Sequence, residues 1–118
     1  MQTSEAIAAF SQSEKIKSGI IWVSQTVEMF NGLPDDEKQG AQKIVRAVIS
    51  MIGHEIHLCK KSAPHELWTD VEKNIDLALV MIDSQVAHES VYHLTRALTR
   101  VTTIGHQSLS YLKDQGLM

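Results

Sequence analysis

The feature that constrains this chain most is a long stretch from Ala41 to Lys61 in which apolar residues recur every three or four positions. Residues at that spacing stack on one side of an α-helix. The main row consists of Ala41, Val45, Val48, Ile52, Ile56 and Cys59. Ile44, Met51 and Leu58 form a second row beside it, and together the rows cover roughly half of the helix circumference. This width predicts a helix that contacts two neighbours within a bundle.

The same helix carries the sequence His54-Glu55-Ile56-His57, which is close to the zinc-binding motif of metalloproteases. In that motif the two histidines are four residues apart on one helix face. Here they are three residues apart, they lie on the polar face, and no third ligand is near in sequence. We therefore interpret them as solvated. Glu55 lies on the apolar side, where a carboxylate needs a partner or a raised pKa, and we expect it to reach a cation on the next helix.

Length and composition predict one soluble globular domain, spanning 1–118. With 43% hydrophobic and 21% charged residues, the chain of 118 residues is typical of a folded protein. A net charge of −3 gives no basic footprint for nucleic acid, and no basic amphipathic helix predicts membrane binding. We expect no signal peptide and no membrane-spanning segment. Because the single Cys59 excludes an intramolecular disulfide, we expect a cytoplasmic protein.

Helix signals divide the chain into four helices, at about 4–31, 35–61, 64–86 and 90–113. In the first helix an unbroken alternation of four and three residues marks the core side. That seam consists of Ala6, Ala9, Ser13, Ile16, Ile20, Val23, Val27 and Phe30. Asn31-Gly32 followed by Leu33-Pro34 ends this helix. Because short loops make consecutive helices antiparallel, we predict an all-α, up-down-up-down four-helix bundle.

The boundary between the third and fourth helices carries the weakest signal. No Gly or Pro separates them, but the apolar phase slips between Val86 and Val91 across a polar cluster. We therefore place the break within residues 83–90. The alternative is one continuous helix from Pro64 onward, which would fit an intertwined or swapped dimer.

Apolar residues outside the core seams predict an interface. On the first and third helices several large side chains point away from the core side. They are Ile21, Trp22, Met29, Leu77, Val80 and Met81. A helix that is apolar nearly all round is buried nearly all round, and large exposed apolar patches mark interfaces. One interpretation is that these are scattered surface apolar residues, which are normal on monomers. The other, which we favour, is a homodimer through helices one and three, since two-fold dimers are the commonest closed assemblies.

Polar residues recur at helical spacing along the outer side of the fourth helix. They are Glu89, His93, Arg96, Arg100 and Gln107. Glu72 and Asp76 form an acidic row on the third helix, at about the height of the two arginines if the helices are antiparallel. One interpretation is a set of cross-helix surface ion pairs, each worth between zero and about 1 kcal/mol. The other is an anion-recognition strip of His93, Arg96 and Arg100, since paired arginines suit carboxylate or phosphate.

The segment His93-Leu94-Thr95-Arg96-Ala97 resembles the histidine phosphotransfer domains of two-component signalling. Those domains are four-helix bundles whose exposed histidine is followed three residues on by a basic residue and then a small one, as Arg96 and Ala97 follow His93. Gly105 lies later than the family pattern places its glycine, and His93 lies on the last helix rather than an earlier one. The resemblance implies that His93 accepts a phosphoryl group and that Arg96 stabilises it.

Other chemistry finds little support in the sequence. Di-iron bundles need core glutamates with Glu-x-x-His motifs on facing helices, but Glu55 is the only core-side carboxylate and no histidine projects from an apolar seam. No Ser or Cys has a placed base, and no Gly-rich phosphate loop is present. We therefore predict no catalytic residue, no metal and no cofactor, and we keep a surface metal site on the histidines as a third hypothesis.

These observations lead to two main hypotheses. The first is a non-enzymatic cytoplasmic helical-bundle protein that acts through protein–protein association, as an adaptor, chaperone-like or regulatory module, and is itself homodimeric. The second is a histidine-phosphotransfer-like or other anion-binding signalling domain centred on His93, Arg96 and Arg100. One bundle architecture carries many unrelated functions, so the fold by itself does not choose between them.

Overall fold

The computed structural model describes residues 1–117 and contains four α-helices. They are α1 (Thr3–Asn31), α2 (Asp35–Ser62), α3 (Trp68–Asp83) and α4 (Ala87–Asp114). Across the described residues there is no strand, and the helices form an elongated body of 55 × 21 × 17 Å. The predicted all-α four-helix bundle is confirmed.

The helices occupy the corners of a square. α1 contacts α2 and α4, and α3 contacts the same two helices. Within residues 1–117, α1 and α3 have no contact with each other, nor do α2 and α4, so each of these pairs lies on a diagonal. The surface between α1 and α2 is therefore on the opposite side of the bundle from the surface between α3 and α4.

The core is built from one side of each helix, as the periodicity predicts. All eight residues of the α1 seam are buried. Ile49 and Ile56 of α2, Ile75 of α3 and Leu94 of α4 are each fully enclosed in the same cluster. Because every helix turns an apolar row inward, the bundle needs no further element to close its core.

The start of α3 differs from the sequence expectation. Pro64 lies in a loop, and the helix begins at Trp68 rather than near residue 64. Trp68 is buried, and its Nε1 donates to the Ala63 carbonyl oxygen at 2.8 Å. The indole therefore links the loop to the first residue of α3 and satisfies its own polar atom.

α3 and α4 are separate helices. The break lies at residues 84–86, inside the predicted window, and Gln85 adopts a left-handed φ of 65°. A residue in that conformation cannot continue a right-handed helix. The continuous-helix alternative is therefore not the arrangement that the structure shows.

α1 approaches its two neighbours to different degrees. Towards α4 it presents small residues, and a Cβ added to Gly105 would lie 2.7 Å from the Ser13 hydroxyl oxygen. Towards α2 a Cβ added to Gly19 would lie 3.6 Å from the Ile52 side chain, which is an ordinary contact. α1 and α4 therefore approach each other closely at this point, beside a groove of about 180 Å³, whereas α1 and α2 leave a larger groove of about 720 Å³ at their surface. No helix within residues 1–117 is long and apolar enough to cross a membrane.

Candidate functional site

The second apolar row of α2 is largely exposed. Ile44 is 67% exposed, Met51 66% and Leu58 44%. α2 does contact two neighbours, α1 and α3, but its apolar arc is wider than those two contacts can cover. The side chains of α2 buried between the neighbours are Val45, Ile49, Ile52, Ile56 and Cys59. Val48, predicted in the main row, is 37% exposed, and the second row remains on the surface beside α1.

α1 extends this apolar surface. Trp22 is 70% exposed, and it lines a groove of about 720 Å³ with Val48 and Met51 of α2. Met29, 73% exposed, follows Trp22 by seven residues and so lies on the same side of α1. We call this surface the α1–α2 face. It consists of Trp22, Met29, Ile44, Val48, Met51 and Leu58.

One ion pair crosses the α1–α2 groove. Lys15 Nζ lies 3.1 Å from Glu55 Oε2, and both side chains remain substantially exposed. The predicted cation partner of Glu55 is confirmed, and it belongs to α1. These two charges are opposite in sign, so the pair leaves the groove neutral.

The two histidines of the HEIH cluster have different surroundings. His54 is exposed, and His57 Nδ1 lies 3.3 Å from Glu72 Oε2. Lys60 Nζ is 3.0 Å from the other oxygen of Glu72, and hydrogen bonding from Lys60 lowers the pKa of that carboxyl below its usual range. Among the described residues no group of three potential metal ligands is close enough to hold an ion.

Cys59 lies in the buried part of the contact between α1 and α2. Its side chain is 1% exposed, and its thiol lies 3.6 Å from Gln12 Oε1 of α1. Burial, and after it the charge of Glu55, raises the pKa of the thiol to about 11. A thiol held neutral in this way is a poor nucleophile, so Cys59 is a core residue.

The predicted interface residues do not form one surface. Trp22 and Met29 join the α2 row, but α3 lies diagonally opposite α1. Leu77 is half-buried in the groove between α3 and α4, and Met81, one turn further, shares its side. Val80 is 50% exposed, and Ile21 is turned by about 100° from Trp22. The α2 row was absent from the predicted interface, although its spacing of seven residues was visible in the sequence.

A second groove, of about 360 Å³, lies between α3 and α4 and contains the predicted anion strip. His93 and Arg100 are half-buried there and Arg96 is exposed. α3 adds Lys73 and Asp70, the latter the only carboxylate among the groove's lining residues. The structure therefore brings the three predicted residues together and adds a lysine that sequence reasoning had not assigned to them.

The acidic row of α3 does not face α4 as expected. Glu72 turns towards α2, where it contacts His57 and Lys60. Among residues 1–117, no ion pair within 4.0 Å involves Lys73, Arg96 or Arg100. The predicted ion pairs between Glu72 or Asp76 and the two arginines are therefore wrong, because the acidic row lies on the opposite flank of α3.

Tyr92 organises the α3–α4 groove. Its hydroxyl accepts a hydrogen bond from Arg96 Nη1 at 3.0 Å, and the guanidinium carbon is 5.7 Å from its ring centroid. The ring also packs edge-on against His93, with centroids 5.2 Å apart. Within the described chain, His93 Nδ1 is buried without a hydrogen-bond partner. The groove thus holds cationic donors, of which Arg96 is oriented by Tyr92, and the His93 ring in its wall has a buried Nδ1 with no partner among the described residues.

Comparison with protein-family models, curated proteins and solved structures found no match. Two surfaces of the bundle are therefore the candidate sites. One is the apolar α1–α2 face, and the other is the cationic α3–α4 groove on the opposite side.

Proposed function

We propose that this protein is a non-enzymatic association module, of the adaptor, chaperone-like or regulatory kind, whose α1–α2 face binds a second copy of the chain. The observation that carries the proposal is the continuity of that face. Six large apolar side chains from two adjacent helices lie together on the surface, each between 37 and 73% exposed. The buried single cysteine also fits a reducing, cytoplasmic compartment.

The size of the face fits a two-fold dimer. An aromatic side chain such as Trp22 presents roughly 150–250 Å² and the five aliphatic ones less, so at exposures of 37–73% the six present on the order of 500 Å² of apolar surface. Monomers have largest patches of about 300–600 Å², and a standard interface buries about 800 Å² per partner. The apolar residues alone would therefore supply most of one side of an ordinary interface.

The α2 row is symmetric about its centre. Ile44, Met51 and Leu58 are seven residues apart, which is about 10 Å per step along the helix. In an antiparallel pairing of α2 with α2 of the second copy, Met51 meets Met51, and Ile44 meets Leu58. A two-fold interface requires this kind of self-complementarity, and the seven-residue spacing is that of helices that pack side by side.

The charges at the ends of α2 favour the same orientation. Its first turn carries Asp35, Asp36 and Glu37, and its last turn carries Lys60 and Lys61. Antiparallel pairing brings the acidic end of one copy towards the basic end of the other, whereas parallel pairing would place like charges together. The helix dipoles also oppose each other favourably in the antiparallel arrangement.

Sedimentation velocity over a wide dilution series tests this proposal. The wild type is expected to sediment as a dimer, and Met51→Asp as a monomer, because the substitution places an unpaired charge at the centre of the interface. Val80→Asp is the matched control, since Val80 is also a half-exposed apolar residue but lies on α3. It is expected to leave the dimer intact.

Two results would count against the proposal. A wild type that stays monomeric at the highest concentration would remove the second copy as occupant. A dimer that Val80→Asp disrupts and Met51→Asp preserves would place the interface on α3. Circular dichroism of both variants shows that a change in assembly is not caused by unfolding.

A further inference from the structure

We infer that the α3–α4 groove is a binding site for a small oxyanion, a phosphate or carboxylate group carried by a small molecule. This site lies on the opposite side of the bundle from the α1–α2 face, so it is independent of the association proposed above. A dimer formed through that face would leave the groove open.

The charge of the groove is opposite to that of the whole protein. Lys73, Arg96 and Arg100 face one carboxylate, Asp70, within the groove, although the chain carries a net charge of −3. None of the three cations has a carboxylate within 4.0 Å in residues 1–117. Clustered cations of this kind repel each other unless an anion binds between them, and a concave surface strengthens their electrostatic field.

The two arginines are placed for bidentate recognition. Arg96 and Arg100 are one turn apart on α4 and therefore lie on the same side of the helix. Tyr92 holds the Arg96 guanidinium through one of its donors, which leaves the remaining donors free for a ligand. A guanidinium fork matches the paired oxygens of carboxylate or phosphate, and prior orientation reduces the entropy lost on binding.

His93 supplies a further polar group at the same place. Its ring lines the groove, and its Nδ1 has no hydrogen-bond partner among the described residues. Buried polar atoms in native proteins are nearly always paired. A rotation of the ring that exposes Nδ1 would let this nitrogen, in the tautomer that carries its proton, donate to an oxyanion in the groove. With a volume of about 360 Å³, the groove is at the small end of ligand pockets.

Nuclear magnetic resonance of ¹⁵N-labelled protein tests this site. Inorganic phosphate and succinate are titrated separately, at constant ionic strength in a chloride buffer. We expect saturable shifts of the Arg96 and Arg100 side-chain signals and of the residues around them. Binding of phosphate alone would identify a phosphoryl ligand, binding of succinate alone a carboxylate ligand, and binding of both a general oxyanion site.

Matched variants separate a built site from general attraction. Arg100→Gln and Arg96→Gln are each expected to weaken binding about tenfold or more, since each loses charged hydrogen bonds to the anion. Lys113→Gln removes an exposed cation from the same helix outside the groove and is expected to have no effect. The inference is wrong if neither anion saturates, if shifts spread over lysines across the surface, or if Arg100→Gln and Lys113→Gln behave alike.

Discussion

The two sides of α1 differ in how closely the helix approaches its neighbour and in the size of the groove at the surface, which is about 180 Å³ beside α4 and about 720 Å³ beside α2. On the α4 side, Ser13 approaches Gly105 so closely that a Cβ on residue 105 would displace the Ser13 hydroxyl. On the α2 side the inner layer is packed, but Trp22 and Met51 remain exposed at the rim of a groove. Small residues allow a helix pair to approach closely, whereas the large outer residues of the α1–α2 side remain exposed.

The largest effect is expected from breaking and restoring the symmetry of the α2 row. Ile44→Lys alone and Leu58→Glu alone should each weaken dimerisation on the order of 100-fold, because each buries an unpaired charge in the interface. The double variant should recover much of the loss, since antiparallel pairing places the new lysine opposite the new glutamate of the second copy. Analytical ultracentrifugation measures all three dissociation constants.

The same set of variants can contradict the antiparallel register. A parallel pairing would place each new charge opposite its own copy, so the double variant would be at least as weak as the single ones. Recovery is therefore specific to the proposed arrangement. Circular dichroism shows whether each variant remains folded.

The next effect concerns Cys59, which is buried where α2 packs against α1 and which we expect to be inaccessible to solvent. Burial raises the pKa of Cys59 from 9.0 to about 11, so the unfolded thiol ionises before the folded one. The resulting contribution to the free energy of unfolding is fully present below about pH 9 and is lost as the pH rises from about 9 to about 11. Its upper limit is about 3 kcal/mol in the free energy of unfolding.

Comparison with Cys59→Ala isolates this contribution. The variant loses packing at every pH, but its stability should fall less steeply between pH 9 and 11 than that of the wild type. Urea unfolding at several pH values measures the difference. If the stability of both proteins fell equally steeply with pH, and the native thiol were alkylated rapidly, Cys59 would be accessible to solvent rather than buried between α1 and α2.

The smallest effects compare two glycines of the bundle. Gly105→Ala should destabilise the protein by about 1–3 kcal/mol, because the new methyl group displaces the Ser13 hydroxyl from its position. Gly19→Ala should stabilise it by about 0.5–1 kcal/mol, since alanine favours the helix and its Cβ meets Ile52 at an ordinary distance. Thermal unfolding measures both changes.

A second substitution tests the cause of the first effect. In a Ser13→Ala background the hydroxyl is absent, so Gly105→Ala should be better tolerated than in the wild type. If both glycine substitutions change the stability by the same amount and in the same direction, α1 does not approach α4 more closely than it approaches α2.

The sequence was sufficient for the bundle because the core is set by local periodicity. The α1 seam and the break before α4 follow from residue spacing and polarity alone. The start of α3 did not follow, because it depends on the bond between Trp68 and Ala63, which is a tertiary contact. A proline that permits a helix start does not require one.

The sites were predicted less completely because they depend on which helices are neighbours. His93, Arg96 and Arg100 share a face of α4, so their proximity could be predicted from spacing. That Lys73 joins them, and that Glu72 turns towards α2, depends on the packing of α3 between two helices. For the same reason the exposed apolar residues of α1 were grouped with α3, although α1 and α3 lie on a diagonal.

The central claim is that two copies pair through α2 with Met51 at the two-fold axis. Disulfide cross-linking tests it most directly, using Met51→Cys in a Cys59→Ala background with Val80→Cys in the same background as control. A disulfide forms only when the two Cα atoms approach to about 4.4–6.8 Å. We expect mild oxidation to convert the Met51→Cys protein to a covalent dimer and to leave the control monomeric. Cross-linking of the Val80→Cys protein alone, or equal slow cross-linking of both, would contradict the claim.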